Sequence, residues 1–104
     1  MKKKRTIDLQ QKVLEKLKEI PKGKVTTYKL IAKSLKRKGA RGIARILARN
    51  PYPRKYPCYK VVCSNGKIGS YQLGVIKKKK LLQKEGIKIK NNQIENFKKV
   101  LYYF

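Results

Sequence analysis

The sequence predicts a mainly α-helical domain with a short β-hairpin, organised around a helix-turn-helix. Three observations carry that expectation. Apolar residues recur at helical spacing in successive segments of the first half. Pro and Gly punctuate those segments. A β-branched run followed by Ser64-Asn65-Gly66-Lys67 marks a tight turn between extended stretches. At 104 residues, one domain spanning 1–104 with a single modest core is expected.

The first helix is predicted over Thr6 to Ile20. There Ile7, Val13, Leu14, Leu17 and Ile20 fall near helical spacing, and Thr6 or Asp8 caps the start. Pro21-Lys22-Gly23 ends it and turns the chain. Thr26 or Thr27, either a good N-cap, opens a second helix through YKLIAKSLK, which Lys38-Gly39 breaks. The third, ARGIARILAR, puts Ile43, Ile46 and Leu47 on one side and Arg41, Arg45 and Arg49 on another. Asn50-Pro51 stops it, because a residue before proline avoids the helical region. Two short helices joined by a Gly-containing turn, the second rich in Arg, make the helix-turn-helix pattern.

PYPRKYP, with three prolines in seven residues, reads as an extended loop delivering the chain to a strand, CYKVVC. The Ser64–Lys67 turn leads into Lys67-Ile68 and a loop, GSYQLG. VIKKKKLLQKE is predicted as a helix ending at Gly86, its four-lysine run a solvated face within reach of phosphate. The tail, IKIKNNQIENFKKVLYYF, reads as a small hairpin and a short aromatic segment.

Thirty Lys and Arg against five Asp and Glu give a formal net charge of +25. A compact domain so charged repels itself unless a polyanion shares its surroundings. Nucleic acid is the first partner this implies and an anionic membrane surface the second; solvated lysines are the plain alternative. No run approaches the roughly 18 apolar residues of a membrane span. The basic MKKKRTIDLQ lacks a following apolar stretch, so no secretory signal is expected. A cytoplasmic monomer is the resulting expectation.

Residues 56–66, YPCYKVVCSNG, hold both cysteines of a chain without histidine. Four readings of Cys58 are open: nucleophile, half of a disulfide, metal ligand, or small core residue. If VVC is a strand, five residues at about 3.3 Å each separate Cys58 from Cys63 by about 16 Å, beyond disulfide reach. A metal would need two more soft ligands, which the chain lacks. No metal or cofactor is expected, and Cys63 reads as a small core residue.

Several elements, in order, resemble the C-terminal domain of alkylguanine-DNA alkyltransferases: IPKGKVTTY, the helix containing Ala40-Arg41, NPYP, PCYKVV, the SNG turn, GSY and LLQKEG. The likeness runs from about Val13 to Gly86. It implies a winged-helix-like domain that binds double-stranded DNA through the minor groove and flips O6-alkylguanine out of the stack. It implies a single-turnover methylated-DNA–protein-cysteine methyltransferase, with Cys58 as the irreversible alkyl acceptor. By the same resemblance Arg41 fills the space left by the flipped base. Tyr28 crowds the phosphate and reaches the guanine edge. Asn50 braces the active-site turn, and Val61 offers a carbonyl to the guanine amino group. Tyr71 and Gln72 close over the alkyl group. Glu85 is the carboxylate behind the family's histidine.

Three departures from the family pattern stand out. The usual PCHRV is PCYKV here, so Tyr59 replaces the histidine that takes the thiol proton, and Lys60 replaces the arginine. A tyrosine of reference pKa about 10 is a poor base at neutral pH; a thiol of pKa about 8.5 is only about 3% ionised there, roughly 2 kcal/mol short of full ionisation. Arg54, Lys55 and Lys60 are expected to lower the thiol pKa, and Tyr59 to donate a hydrogen bond to Glu85. Arg45 stands where the family prefers a very small residue; it either adds a phosphate contact or holds the helix off the DNA. Full family members also carry a further N-terminal domain, expected to be absent here. In length the chain resembles small alkyltransferase-like proteins, which bind alkylated guanine without repair and hand it to excision-repair proteins. Those lack the cysteine; this chain has it.

Overall fold

A computed structural model describes the backbone of residues 2–104 and the side chains from Leu9 onward. Helix α1, Lys2–Glu19, starts earlier than expected, so Thr6 and Asp8 lie within it and not at its cap. The side chains of Thr6, Ile7 and Asp8 lie outside the described residues. Val13, Leu14 and Leu17, with Ile20 just beyond the helix, are almost fully buried. Each contributes roughly 1.5–3 kcal/mol of apolar burial.

Helix α2, Tyr28–Ser34, is capped by Thr27, whose hydroxyl accepts from Leu30 N at 3.0 Å. Helix α3, Arg41–Ala48, buries Ile43 and Leu47 and leaves Arg41, Arg45 and Arg49 exposed. Strands and helices of the second half follow the expected order. Helix α4 is Val75–Lys84, and strands β3 (Ile89–Lys90) and β4 (Gln93–Ile94) pair antiparallel as a hairpin. A last turn of helix, α5, is Phe97–Val100.

Three expectations are corrected. CYKVVC is not one strand. Backbone bonds Cys58 N→Tyr56 O (2.8 Å) and Lys60 N→Pro57 O (3.1 Å) wind Cys58–Lys60 into a 3-10 turn, leaving only β2, Val61–Val62, extended. The 16 Å spacing of a full strand therefore does not apply, yet both cysteines are free thiols. Next, β2 pairs in parallel with β1, Thr26–Thr27. This contact joins segments too distant in sequence to be read from local pattern. Finally, the core is two apolar clusters. Helices α1–α3 enclose one with Cys58 and Val61; Val25, Val62, Ile68, Leu82, Ile87 and Ile94 form the other. Successive residues of β2 point to opposite sides, as a strand requires, so Val61 and Val62 enter different clusters.

The tail is tied to β1. Val25 N donates to Val100 O (2.8 Å), Tyr102 N to Val25 O (2.7 Å), and Thr26 Oγ1 to Tyr102 O (3.1 Å). Among the described residues no helix is long and apolar enough to cross a membrane.

Candidate active site

The 3-10 turn holds Cys58, 5% exposed, against a small cavity of about 50 Å³. Tyr28 from the start of α2, Ala44, Leu47 and Ala48 from α3, and Ser70, Tyr71 and Gln72 from the following loop wall it. Four residues named from the sequence thus meet in one place: Tyr28, Cys58, Tyr71 and Gln72. Ala44 and Ala48 present little bulk on the cavity side of α3, while Arg41 and Arg45 project from the same helix into solvent.

Asn50 is buried and fastens both ends of the loop before the cysteine. Its Nδ2 donates to Tyr56 O at 2.9 Å, its Oδ1 accepts from Tyr52 N at 2.9 Å, and its carbonyl accepts from Gln72 Nε2 at 2.9 Å. The turn can therefore neither unwind toward solvent nor drift from the Gln72 wall without losing bonds in a buried setting.

Behind the turn lies a second polar group. The Tyr59 hydroxyl donates to Glu85 Oε2, while Glu85 Oε1 accepts from Gly23 N (2.9 Å) and sits 3.2 Å from Lys60 Nζ. Lys60 Nζ also donates to Ile20 O (3.1 Å) and Pro21 O (3.3 Å), carbonyls of the turn just beyond α1, the second of which also accepts from Lys24 N (3.1 Å). Burial, then the Glu85 carboxylate, pushes the Tyr59 hydroxyl well above its usual value. Tyr59 is a bound donor here and has no capacity to accept a thiol proton near neutrality.

The cation that acts on Cys58 is not among those expected. Burial pushes the thiol up; the Asn50 amide, its own backbone N–H and the charge of Lys78 pull it partly back. Lys60 is engaged by Glu85 and the carbonyls of Ile20 and Pro21, and Arg54 and Lys55 line an outer groove. Lys78, from the middle of the four-lysine run, is 0% exposed and donates to Val61 O (2.7 Å) and Ser70 O (3.0 Å). The run is thus not uniformly a solvated face. Burial lowers the Lys78 pKa to about 8, partly offset by the thiols of Cys63 and Cys58. The signal was present in the sequence: stepping back four residues from apolar Leu82 lands on Lys78, so the buried stripe of α4 must contain one lysine.

Lys78 Nζ lies 6.0 Å from the Tyr28 ring centroid, and burial pushes the Tyr28 hydroxyl up to about 12. Gly69, at φ +73°, lets the loop pass close by; a Cβ there would sit 3.2 Å from Cys63 Sγ and 3.6 Å from Tyr28 Oη. Cys63 thus packs beside the tyrosine and is not among the cavity walls. Val61 is fully buried behind the cavity with its carbonyl held by Lys78. Neither Tyr59 nor Glu85 lines the cavity. Among the described residues no group of three or more His, Cys, Asp or Glu is placed to hold a metal.

A helix-turn-helix presenting arginines beside a buried thiol defines a nucleic-acid-binding fold with a free cysteine set against a cavity. Residues 8–87 match the family model of the 6-O-methylguanine DNA methyltransferase DNA binding domain, and the chain belongs to that family. It is 42% identical over 86 residues to a methylated-DNA–protein-cysteine methyltransferase of Candida glabrata, covering 82% of this chain and 42% of that protein. The Mycobacterium tuberculosis OGT solved in complex with DNA is 33% identical, with TM-score 0.71 over 75% of this chain and 49% of that one. S. pombe Atl1, solved with damaged DNA, is 24% identical at TM-score 0.80, covering 93% of this chain and 96% of that one. That last likeness shows the fold alone. The chain spans under half the length of the first two relatives.

Proposed function

We propose that the chain is a DNA repair protein that takes the alkyl group of O6-alkylguanine onto Cys58. The observation that carries this is the placement of a buried thiol on a cavity whose other wall is α3, the helix bearing Arg41 and Arg45. In this reading α3 lies in the minor groove of duplex DNA, Arg41 occupies the gap in the stack, and Arg45 meets a phosphate. The guanine enters between Cys58, Tyr28 and Tyr71. Its amino group shares the Val61 carbonyl with Lys78, which leaves one lone pair free.

The thiolate attacks the alkyl carbon, an S–C bond forms, and the C–O6 bond breaks with its electron pair going to O6. The guanine ring takes up one proton, balancing the one lost by the thiol. Tyr28, protonated at neutral pH, is placed to give a hydrogen bond to the purine edge, and Lys78 stabilises the thiolate. Asn50 holds the turn and Gln72 the wall; Tyr59 and Glu85 hold the turn from behind. Since each molecule reacts once, slow ionisation of Cys58 limits rate and not competence. The protein acts inside the cell as a monomer without cofactor.

One observation favours a second reading. The only side chain at the family's histidine position is tied to Glu85, and burial keeps the thiol protonated. A protein so built would bind the lesion and present it to excision-repair proteins. Intact-mass measurement after incubation with duplex DNA containing O6-methylguanine separates the two. One methyl group on Cys58 is expected, lost in Cys58→Ala and retained in Cys63→Ala. Methyl on neither cysteine, with lesion binding intact, would sink the transfer reading.

A further inference from the structure

We propose that Tyr56, clamped on helix α1 by Gln11 and Glu15, is a positioning residue that sets the Cys58 thiol against its cavity. This rests on the reading of Cys58 as the alkyl acceptor. Every polar group of Tyr56 is engaged. Its N–H donates to Tyr52 O (2.9 Å), and its carbonyl accepts from both Asn50 Nδ2 (2.9 Å) and Cys58 N (2.8 Å). That one carbonyl joins Asn50 to the residue that carries the thiol. The Tyr56 hydroxyl leaves the loop altogether and reaches α1, 41 positions earlier in the chain.

On α1, Gln11 and Glu15 stand about one helical turn apart, and Gln11 Nε2 donates to Glu15 Oε1 at 2.8 Å. The same amide donates to Tyr56 Oη (3.3 Å), which donates to the same Glu15 oxygen (3.4 Å) and closes a triangle. Glu15 is one of five acids in a chain with thirty cations, yet among the described residues it forms no ion pair. The tyrosine ring is 5% exposed and packs in the cluster that holds Cys58, with Lys18 Nζ and Lys55 Nζ each 5.4 Å from its centroid. Apolar packing alone would accept phenylalanine here. The hydroxyl adds a fixed place along α1, so the turn is pinned two residues before the nucleophile. Bonds of 3.3 and 3.4 Å are long, so losing them costs about two- to fivefold in rate.

The test uses the full chain with Cys63→Ala, which leaves Cys58 the only thiol. Two rates are followed: transfer from duplex O6-methylguanine against DNA concentration, and alkylation of Cys58 by iodoacetamide against pH. Tyr56→Phe and Glu15→Ala should each slow saturated transfer about two- to fivefold, with the half-saturating DNA concentration unchanged. Each should also raise the pH midpoint of alkylation, because a turn that swings from Asn50 loses the amide that favours the thiolate. Lys78, Tyr28 and Tyr71, the other titratable groups facing the thiol, stay in place. Tyr56→Phe combined with Glu15→Ala should be no worse than either alone, since both remove one interaction. Glu15→Gln keeps an acceptor and should restore the parental rates. Glu15 is exposed on its helix, so its variants supply the reading if Tyr56→Phe folds poorly. A lowered Tm with the pH midpoint and saturated rate unmoved, or losses that add in the double variant, overturns the positioning role. No transfer in the parent, with the alkylation midpoint still moved by these changes, instead overturns the alkyl-acceptor reading, so the two failures are distinguishable.

Discussion

The two apolar clusters hold the same five-residue segment by different means. On the helical side, Cys58 and Val61 pack among α1, α2 and α3, whose buried faces come from short-range periodicity. On the other side, Tyr59 and Val62 pack with Val25, Ile68 and Ile94, brought together by backbone bonds such as Ile68 N→Asn92 O (3.0 Å) and Ile94 N→Gly66 O (2.9 Å). The helical side presents the thiol; the strand side fixes the turn that carries it. Lys60 and Lys78 are where the two meet, each a buried cation spent on carbonyls across the boundary. A change to an exposed residue of the helical side should therefore alter recognition at constant stability, and a change at the boundary should alter both.

Lys78→Met gives the largest expected effect. Methionine keeps most of the volume but leaves Val61 O and Ser70 O unpaired, at about 1–3 kcal/mol each. Since 1 kcal/mol shifts Tm by about 4–8 °C in a domain of this size, calorimetry should show a fall of about 10 °C or more. Transfer from O6-methylguanine should slow as well, because Cys58 loses its cation. A variant with unchanged Tm and rate would break the boundary reading.

Next comes Tyr59→His, measured as transfer rate against pH. In the parent the rate should climb with the thiolate fraction, past the ordinary thiol range because Cys58 is shifted up. The slope should ease above pH 8, where Lys78 loses its proton and with it the charge that favours the thiolate. An imidazole oriented by Glu85 should raise the rate at pH 7 by at least about thirtyfold, the scale for ionising a thiol of ordinary pKa, which the upward shift of Cys58 widens. That gain should vanish in a Glu85→Gln background. A histidine variant no faster between pH 6 and 9 would show that Lys78 already suffices.

Arg41→Ala sharpens the contrast from the helical side. Preference for lesion over plain duplex should drop by about tenfold, the scale of one well-placed contact, with Tm nearly unchanged because Arg41 is exposed. Equal weakening on all DNA would instead make it one phosphate contact among many. The smallest effect is expected for Thr27→Ala, which removes the cap of α2 at about 1 kcal/mol. Thermal denaturation should register a few degrees, and transfer should follow only as far as Tyr28 loosens.

The helical side was largely legible in the sequence because its signals are local. Thr27, the Ala40–Arg49 helix and the Asn50-Pro51 stop all fall within a few residues of what they control. Cys58 and the cavity walls Tyr28, Tyr71 and Gln72 came from a resemblance, and the geometry groups them. The parallel pairing of Thr26-Thr27 with Val61-Val62 left no local trace, since a parallel ladder needs partners far apart in the chain. The same holds for the tail against Val25. Lys78 was missed because a lysine in a lysine run looks solvated until the opposite face of its helix is counted.

The bond from Thr26 to Tyr102 spans 76 positions of sequence, and that span sets an order of events. Helices α1, α2 and α3 close through near-neighbour contacts, which form quickly. The register that seats Thr26, and with it the first turn of the helix bearing Tyr28, must wait for a long loop to close. The arginine-bearing helices are thus expected to form before the thiol cavity is finished, an order that pulse-labelled hydrogen exchange during refolding would show as earlier protection in α1–α3 than at Thr26 and Thr27.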